Sequence, residues 1–325
     1  MSIVLGRGQC GAHITLLFTI DDSSEDLVYQ GSRGAGICLK DGVEAIAKGD
    51  NGSGEIIVRF KDGEYDSRMY QDVLSELVEE IPEIGDFDWE LDIIMSLPTS
   101  QGFGMSASGA VASSMAIQRA IGIPHEECVR RSFLVAHIVE RKRSSGLGDT
   151  TALSSGGVER RIAAGSPFSG SLLDNGPGVS QGWSVEIPIL ISWKEKTGRH
   201  TSSYIDNEDW RRKICLAGEH AMERIGKGEW KEHRWSELIE ESLRFSSDSG
   251  LEKDASRSEI IESVKKVIDS SEFSESLSAM LCMLGESVVI VPKDPHGQED
   301  WIYKISEELE DYGLSSFSTR VGKLR

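Results

Sequence analysis

The sequence is poor in basic charge, in paired cysteines and in long apolar runs, and each shortage removes a class of function. Against 54 Asp and Glu stand only 35 Lys and Arg, a formal net charge of -19 over 325 residues. A field of that sign leaves no easy place for a basic face, so a nucleic-acid backbone is not an expected partner. The five cysteines, Cys10, Cys38, Cys128, Cys215 and Cys282, are odd in number, far apart and without a CxxC pair. They read as reduced core residues, not as a disulfide frame or a zinc site. The longest early apolar run, Ile14 to Ile20, is too short to span a membrane and lacks a signal-peptide layout. A cytoplasmic protein without a membrane partner is therefore expected. Repeats and low-complexity tracts are missing as well. The apolar and charged fractions are those of a soluble globular protein, and the length allows one large or two ordinary domains.

What the sequence does have is a strand, a glycine loop and a helix in one stretch, from Trp89 to Gly122. Trp89, Leu91, Ile93, Met95 and Leu97 alternate with Glu90, Asp92 and Ser96, the period of a half-buried strand that Pro98 stops. Gly102, Gly104 and Gly109 follow among small residues, and then a run of Ala, Ser, Val, Met and Ile reads as a helix opening on Ser106-Ala107-Ser108-Gly109. A helix start behind such a loop suits an anion, because its first N–H groups are unpaired, its dipole is positive there, and missing side chains let phosphate approach. The hydroxyl of Ser106 or Ser108 could cap that helix or reach a metal. A tight turn onto a closely packed helix is the plainer alternative.

Two other glycine stretches invite function. Gly6-Arg7-Gly8-Gln9-Cys10-Gly11 matches GxGxxG, yet that motif must open a helix, and His13 to Ile20 is rich in β-branched residues and reads as a strand. A dinucleotide site is thus not expected. Gly31-Ser32-Arg33-Gly34-Ala35-Gly36 reads equally as a hairpin turn or bulge and as a loop bringing a serine and an arginine to a ligand, with a strand at Ile37 to Leu39 after it. Further strands are expected at Val43 to Lys48 and Glu55 to Phe60. Tyr70, Val73, Leu74, Leu77 and Ile81 mark a helical face closed by Pro82.

Beyond the central helix, Pro124 opens another, on which His137 and Glu140 share a face. His137 could equally be a buried, bonded histidine and Glu140 a solvated charge. Asp149 heads Thr150-Thr151-Ala152-Leu153, which suggests a helix cap. Arg160 and Arg161 lie in a strand after Gly156-Gly157 and face opposite sides, so one is expected at the surface and the other toward a cavity. Composition shifts near Asp174 to Gly178, which places a domain boundary at 175/176. A strand over Val185 to Trp193, helices around Trp210 to Ile225, Trp230 to Leu243 and Ser258 to Ile268, and strands at Met280 to Leu284 and Ser287 to Val291 follow. A helix from Trp301 to Leu309 and a strand near Ser315 to Val321 make the end an α+β domain.

Pro98 to Ala110 resembles the second motif of the GHMP kinases, the superfamily of galactokinase and of homoserine, mevalonate and phosphomevalonate kinases, which has no Walker A sequence; neither has this chain. Gly11 to Thr15, Gly31 to Gly36, Gln101 to Ala110, Ala136 to Glu140, Gly146 to Asp149, Gly156 to Arg161 and Met283 to Glu286 resemble its archaeal pantoate kinase branch, in order and over nearly the whole chain. The resemblance implies an α+β GHMP kinase fold: residues 1–175 as an ATP-binding domain like the second domain of ribosomal protein S5, and 176–325 as a ferredoxin-like domain. It implies ATP-dependent phosphorylation of pantoate for coenzyme A synthesis, with mevalonate, homoserine or shikimate as alternative acceptors.

By the same resemblance Gly102, Phe103, Gly104, Met105, Ser106, Ala107 and Ser108 would bind ATP, and Ser106 and Glu140 would hold Mg²⁺. Asp149 would take the proton of the attacking hydroxyl or orient it. Ser32, His137 and Arg161 would bind pantoate, with Arg161 preferred over Arg160 for its carboxylate. Two departures stand out: Gly11-Ala12 occupies the place of a Pro-Gly pair, and His13 stands where several GHMP kinases have a lysine. The partners implied are pantoate and ATP, and the assembly expected, if any, is a homodimer. A non-catalytic nucleotide sensor is the rival reading, and Ser106, Glu140 and Asp149 together speak against it.

Overall fold

The strand that organises the first half is β2, Gly34–Asn51, and β1, Val4–Phe18, runs antiparallel along one of its edges from Val4↔Gly49 to Phe18↔Gly34. The computed structural model describes residues 3–195 and 207–324. On its other edge β2 pairs with β4, Phe87–Met95, through Val43 to Asn51, and with β5, Val158–Ala163, through Gly34 to Ile37. β3, Ile56–Phe60, lies parallel to β4 and reaches it through helix α1, Arg68–Glu80. A strand β8, Val179–Trp183, completes the sheet beside β5, and the short β6, Phe168–Ser169, and β7, Asp174–Asn175, pair with each other.

Three expectations change here. First, Gly6 to Gly11 lies inside one continuous strand. A Cβ at Gly6 would sit 2.0 Å from the Ala116 carbonyl oxygen, and one at Gly8 2.0 Å from that of Ala112. Both carbonyls belong to helix α2, Met105–Ala120. Those glycines give clearance for a helix lying on the sheet, not room for a phosphate. Second, the separate strands expected around Leu39 and Val43 are one strand, and the glycines of 34–36 begin it instead of turning ahead of it. Third, Val179–Trp183 belongs to the first sheet, so the change of sheet falls between Trp183 and Pro188, after the expected 175/176. Its alternation of Val, Ser, Gln, Gly and Trp carries too little apolar signal to announce a strand.

Helices α2, α3 (His125–Lys142) and α4 (Asp149–Ser155) follow, α2 lying on β1 and β2 and α3 on α2. The small residues that make α2 readable are nearly all buried, which lets three elements close on it. The second half holds β9 (Pro188–Trp193), α5 (Glu208–Ile225), α6 (Trp235–Ser249), α7 (Ala255–Ser270), β10 (Leu277–Leu281), β11 (Ser287–Pro292), α8 (Trp301–Asp311) and β12 (Ser315–Arg320). Its sheet runs β10-β11-β9-β12, all antiparallel, the ferredoxin-like order expected. One apolar core runs through both sheets, and backbone bridges Thr15↔Met283 and Leu39↔Val321 stitch them together. Among the described residues no helix is long and apolar enough to cross a membrane.

Candidate active site

Between the two sheets lies a cavity of about 460 Å³, lined by Ser32, Gly102 to Ser106, Glu140, Ser144 to Asp149 and the larger side chains of Phe60, Tyr65, Met69, Tyr70 and Met95. Its floor is the loop between β4 and α2. Gly102 and Gly104 have φ of 81° and 59°, the left-handed region that side chains resist. Gly104 is the N-cap of α2, and no side chain bonds the open turn behind it, so its N–H groups face the cavity end of a helix dipole. The loop is fixed from both sides. The His13 N–H donates to the Phe103 carbonyl at 3.0 Å, and Gly285 lies so close to Gln101 that a Cβ there would stand 1.9 Å from the Gln101 oxygen.

One wall carries two carboxylates. Glu140, on the last turn of α3, accepts hydrogen bonds from Ser106 Oγ and from Ser145 Oγ, the latter at 2.7 Å. Burial, seconded by the charge of Asp149, pushes the Glu140 carboxyl up to about 7. Between Glu140 and Asp149 passes Gly146. A Cβ there would be 2.0 Å from Glu140 Oε2 and 3.1 Å from Asp149 Oδ2, so any larger residue would wedge into the gap. Arg141 steadies this loop by donating to the Gly146 carbonyl at 2.7 Å.

Asp149 is the first residue of α4 and does not cap it; Gly148 holds the cap position. The Asp149 side chain turns instead to His13, whose Nδ1 lies 2.6 Å from Oδ1. Burial would raise the Asp149 carboxyl, but the bond to His13 and the charges of His13 and Arg161 win and hold it below its usual range. For His13, burial opposes protonation, yet the bonds to Asp149 and Glu159 outweigh it and hold the ring above its ordinary value.

The structure brings Ser106, Glu140, Asp149, Ser32, Gly102, Phe103, Gly104 and Met105 to one cavity. It leaves four other expected residues behind the wall. Ala107 and Ser108 are fully buried, and Ser108 Oγ donates to the Cys10 carbonyl at 2.7 Å, fastening α2 to β1. His137 is buried as well: its Nε2 meets the Leu27 carbonyl at 2.9 Å and its Nδ1 the Thr150 hydroxyl at 3.3 Å. Burial above all pushes that ring down to about 4, so it is neutral. Arg161 is fully buried beside Glu159, its Nη1 3.0 Å from Glu159 Oε1, while its Nε and Nη2 have no hydrogen-bond partner.

Arg160 and Arg161 do face opposite sides, but neither is at the surface. Arg160 donates to the carbonyls of Ile225, Lys227 and Gly228 at the end of α5 and lies over the Trp230 ring, because β5 is covered on both faces. Sequence reasoning missed Glu159, though its place two residues before Arg161 puts it on the same face of a strand. It also missed the aromatic lining from Phe60, Tyr65 and Tyr70, which nothing local announces.

The same arrangement of elements occurs elsewhere. Residues 68–157 match the family model described as GHMP kinases N terminal domain. A solved structure described as a phosphotransferase related to the CoA biosynthesis pathway is 24% identical, with a TM-score of 0.76 over 98% of this chain and 96% of that one. The mevalonate kinase of Methanococcus jannaschii superposes with a TM-score of 0.60 at 13% identity, over 99% and 98% of the two chains. The chain has the GHMP kinase fold. Within that fold it is similar to the pantoate kinase of Thermococcus kodakarensis, 28% identical over 96% of this chain and 94% of that protein. The pantoate kinase of Methanocaldococcus jannaschii is 26% identical, over 86% and 90%. The GHMP family segment covers α1, the loop into α2, both carboxylates and α4, the parts from which most of the cavity wall is built.

Proposed function

We propose that the protein transfers the γ-phosphoryl group of ATP to the primary hydroxyl of pantoate, giving 4-phosphopantoate for coenzyme A synthesis in the cytoplasm. The observation that carries this is the single cavity joining an uncapped helix start to two carboxylates, in a chain similar along most of its length to two archaeal pantoate kinases. The phosphates would lie on Gly102 to Ser106, against the N-terminus of α2. The base would lie against Phe60, Tyr65, Tyr70, Met69 and Met95, a wall of rings and thioethers suited to a flat heterocycle.

Mg²⁺ fits the residues present. Glu140 supplies one buried carboxylate with a hydroxyl, Ser106, bonded to it, and Mg²⁺ is commonly held by one or two carboxylates together with phosphate oxygens and waters. Among the described residues no three His, Cys, Asp or Glu stand together as a metal cage, so the ion would arrive with the nucleotide. When bound, it neutralises charge on the phosphates. Pantoate carries a carboxylate at one end and a primary hydroxyl at the other. Arg161, buried behind the wall with Nε near Ser32 and both Nε and Nη2 unpaired among the described residues, would take the carboxylate by its planar fork. That leaves the hydroxyl facing Asp149.

Asp149 is held below the usual carboxylate range, which makes it a weak base and a firm acceptor. Its role is to orient the hydroxyl and take its proton late, which suffices because positioning and charge supply most of the acceleration in phosphoryl transfer. His137 would act at one remove, holding Thr150 and with it the start of α4. The test is ADP release from ATP and Mg²⁺ with pantoate, mevalonate, homoserine and shikimate offered separately. Stimulation by pantoate alone is expected. Stimulation by another of these alcohols and not by pantoate overturns the acceptor and keeps the kinase.

A further inference from the structure

One buried charge beside the cavity has no task in the reaction as described, the carboxylate of Glu159. β5 sets Glu159 and Arg161 on the same face, and β2 meets them with glycines: Gly36 opposite Glu159 and Gly34 opposite Arg161. A Cβ at Gly36 would stand 2.7 Å from His13 Nε2, and one at Gly34 2.7 Å from Arg161 Nη2. The two glycines therefore make the room in which three large polar side chains meet. There a single oxygen, Glu159 Oε1, lies 3.1 Å from His13 Nε2 and 3.0 Å from Arg161 Nη1. The other ring nitrogen of His13 is the one that meets Asp149 at 2.6 Å. The charged groups facing His13 are Asp149 from α4 and Glu159 and Arg161 from β5, while β2 presents Gly36.

Both ring nitrogens of His13 thus face carboxylate oxygens, which only accept hydrogen bonds. A neutral imidazole has one N–H; with it on Nδ1, the Nε2 lone pair would face Glu159 Oε1 at 3.1 Å, with the Arg161 Nη1 donor farther off at 3.5 Å. An imidazolium donates to both, and it makes the buried group neutral: two cations, His13 and Arg161, against two carboxylates, Asp149 and Glu159. Buried charges persist when paired and bonded in this way.

We propose that Glu159 is a positioning residue that ties the two halves of the acceptor site together. Through His13 it fixes Asp149, and through Arg161 Nη1 it fixes the guanidinium, holding Nε near Gly148 and Nη2 near Gly34 just behind the cavity wall. The tie makes hydroxyl and carboxylate recognition one unit, although Asp149 and Arg161 come from different elements. The inference rests on the roles given above to Asp149 and Arg161.

Two experiments on the full chain test it. Glu159→Gln keeps the shape but removes the charge that both donors share. It is expected to lower kcat and to raise the KM for pantoate, each by about tenfold or more, with the KM for ATP within about twofold of the parent. A variant that loses only thermal stability, with both KM values and kcat per folded molecule unchanged, overturns the proposal. The second experiment needs no variant and no substrate: nitrogen-15 NMR of the parent protein, with His13 assigned through its backbone. The tie predicts two protonated ring nitrogens on His13 at pH 7, with the ring held above its ordinary value. A neutral ring with a single N–H at pH 7 overturns it, whatever the acceptor proves to be, so failure of the tie is distinguishable from failure of the pantoate reading.

Discussion

The two ends of the cavity are built by opposite means. The proposed nucleotide end is a contiguous run, Gly102 to Ser106, whose donors are backbone N–H groups left open at a helix start. The proposed acceptor end sets Ser32 and Asp149 on the cavity with His13, Glu159 and Arg161 buried behind them, four of the five charged or chargeable and mutually bonded. An open helix terminus can wait for its anion in water at little cost. A buried guanidinium or imidazolium cannot, so His13, Asp149, Glu159 and Arg161 Nη1 bond one another before any ligand arrives, and Arg161 Nε and Nη2 are left without a partner among the described residues. One end is open and made of backbone; the other is closed and made of side chains.

The largest effect expected is from Asp149→Asn, which should lower kcat by about 10²–10⁴, the range for loss of a positioned proton acceptor, with the KM for ATP nearly unchanged. Steady-state kinetics decide it. An ATP constant that moves as far as kcat would mean that the two ends act as one.

Next comes Arg161→Lys, which keeps the charge and loses the fork. The loss of a desolvated charge-assisted contact, about 1.5–3 kcal/mol, corresponds to a rise of roughly ten- to a hundredfold in the KM for pantoate. Arg160→Lys is the control. Its side chain serves the end of α5, so melting temperature should fall while the pantoate constant stays put.

A smaller effect sharpens the nucleotide end. The Glu140 carboxyl is held up to about 7, chiefly by burial, so a metal that needs it ionised must displace a proton below that pH. The Mg²⁺ requirement should rise as pH falls below 7. Glu140→Gln should raise the requirement at every pH and remove that dependence, and Ser106→Ala should raise it less. The stability sign follows: a raised carboxyl contributes stability that is present below about 4.5 and lost as pH rises through about 7. The metal-free protein should therefore melt lower at pH 8 than at pH 5 on this account, and Glu140→Gln should flatten that difference.

The smallest effect is expected at His137. Its ring is held down to about 4, foremost by burial, so its contribution is present above about 6.5 and lost as pH falls toward 4. His137→Gln should soften the acid limb of the melting curve and leave the pantoate constant within about twofold. A large pantoate-specific defect would instead put His137 in contact with the acceptor.

These same contrasts explain what the sequence could and could not show. The strand, loop and helix of the nucleotide end were readable because every signal lies in one stretch of chain: alternation up to Met95, glycine at 102 and 104, small residues through α2. The proposed acceptor end rests on residues that the sequence offered only through resemblance, and Glu159 was not among them. His13 and Glu159 lie 146 positions apart, and no local pattern joins them. The glycines misled in a consistent way. Those at 6, 8, 34 and 36 read as punctuation, yet they sit in strands and clear space for α2, Arg161 and His13. A glycine says that a side chain is unwelcome, not whether a turn or a neighbour forbids it. Arg160 could not be placed because burial of both faces of β5 depends on α5, far along the chain.

The proposed placement of Arg161 and Asp149 decides which oxygen is phosphorylated. If Arg161 takes the carboxylate and Asp149 faces the opposite end, phosphate must arrive on the primary hydroxyl. Phosphorus-31 NMR of the product made from ATP and pantoate reads this directly, by coupling to neighbouring protons. The predicted product is a phosphomonoester coupled to the two methylene protons, a triplet or doublet of doublets. A doublet, from phosphate on the secondary hydroxyl beside the carboxylate, would contradict the arrangement, and the absence of any pantoate-dependent phosphomonoester would contradict the function.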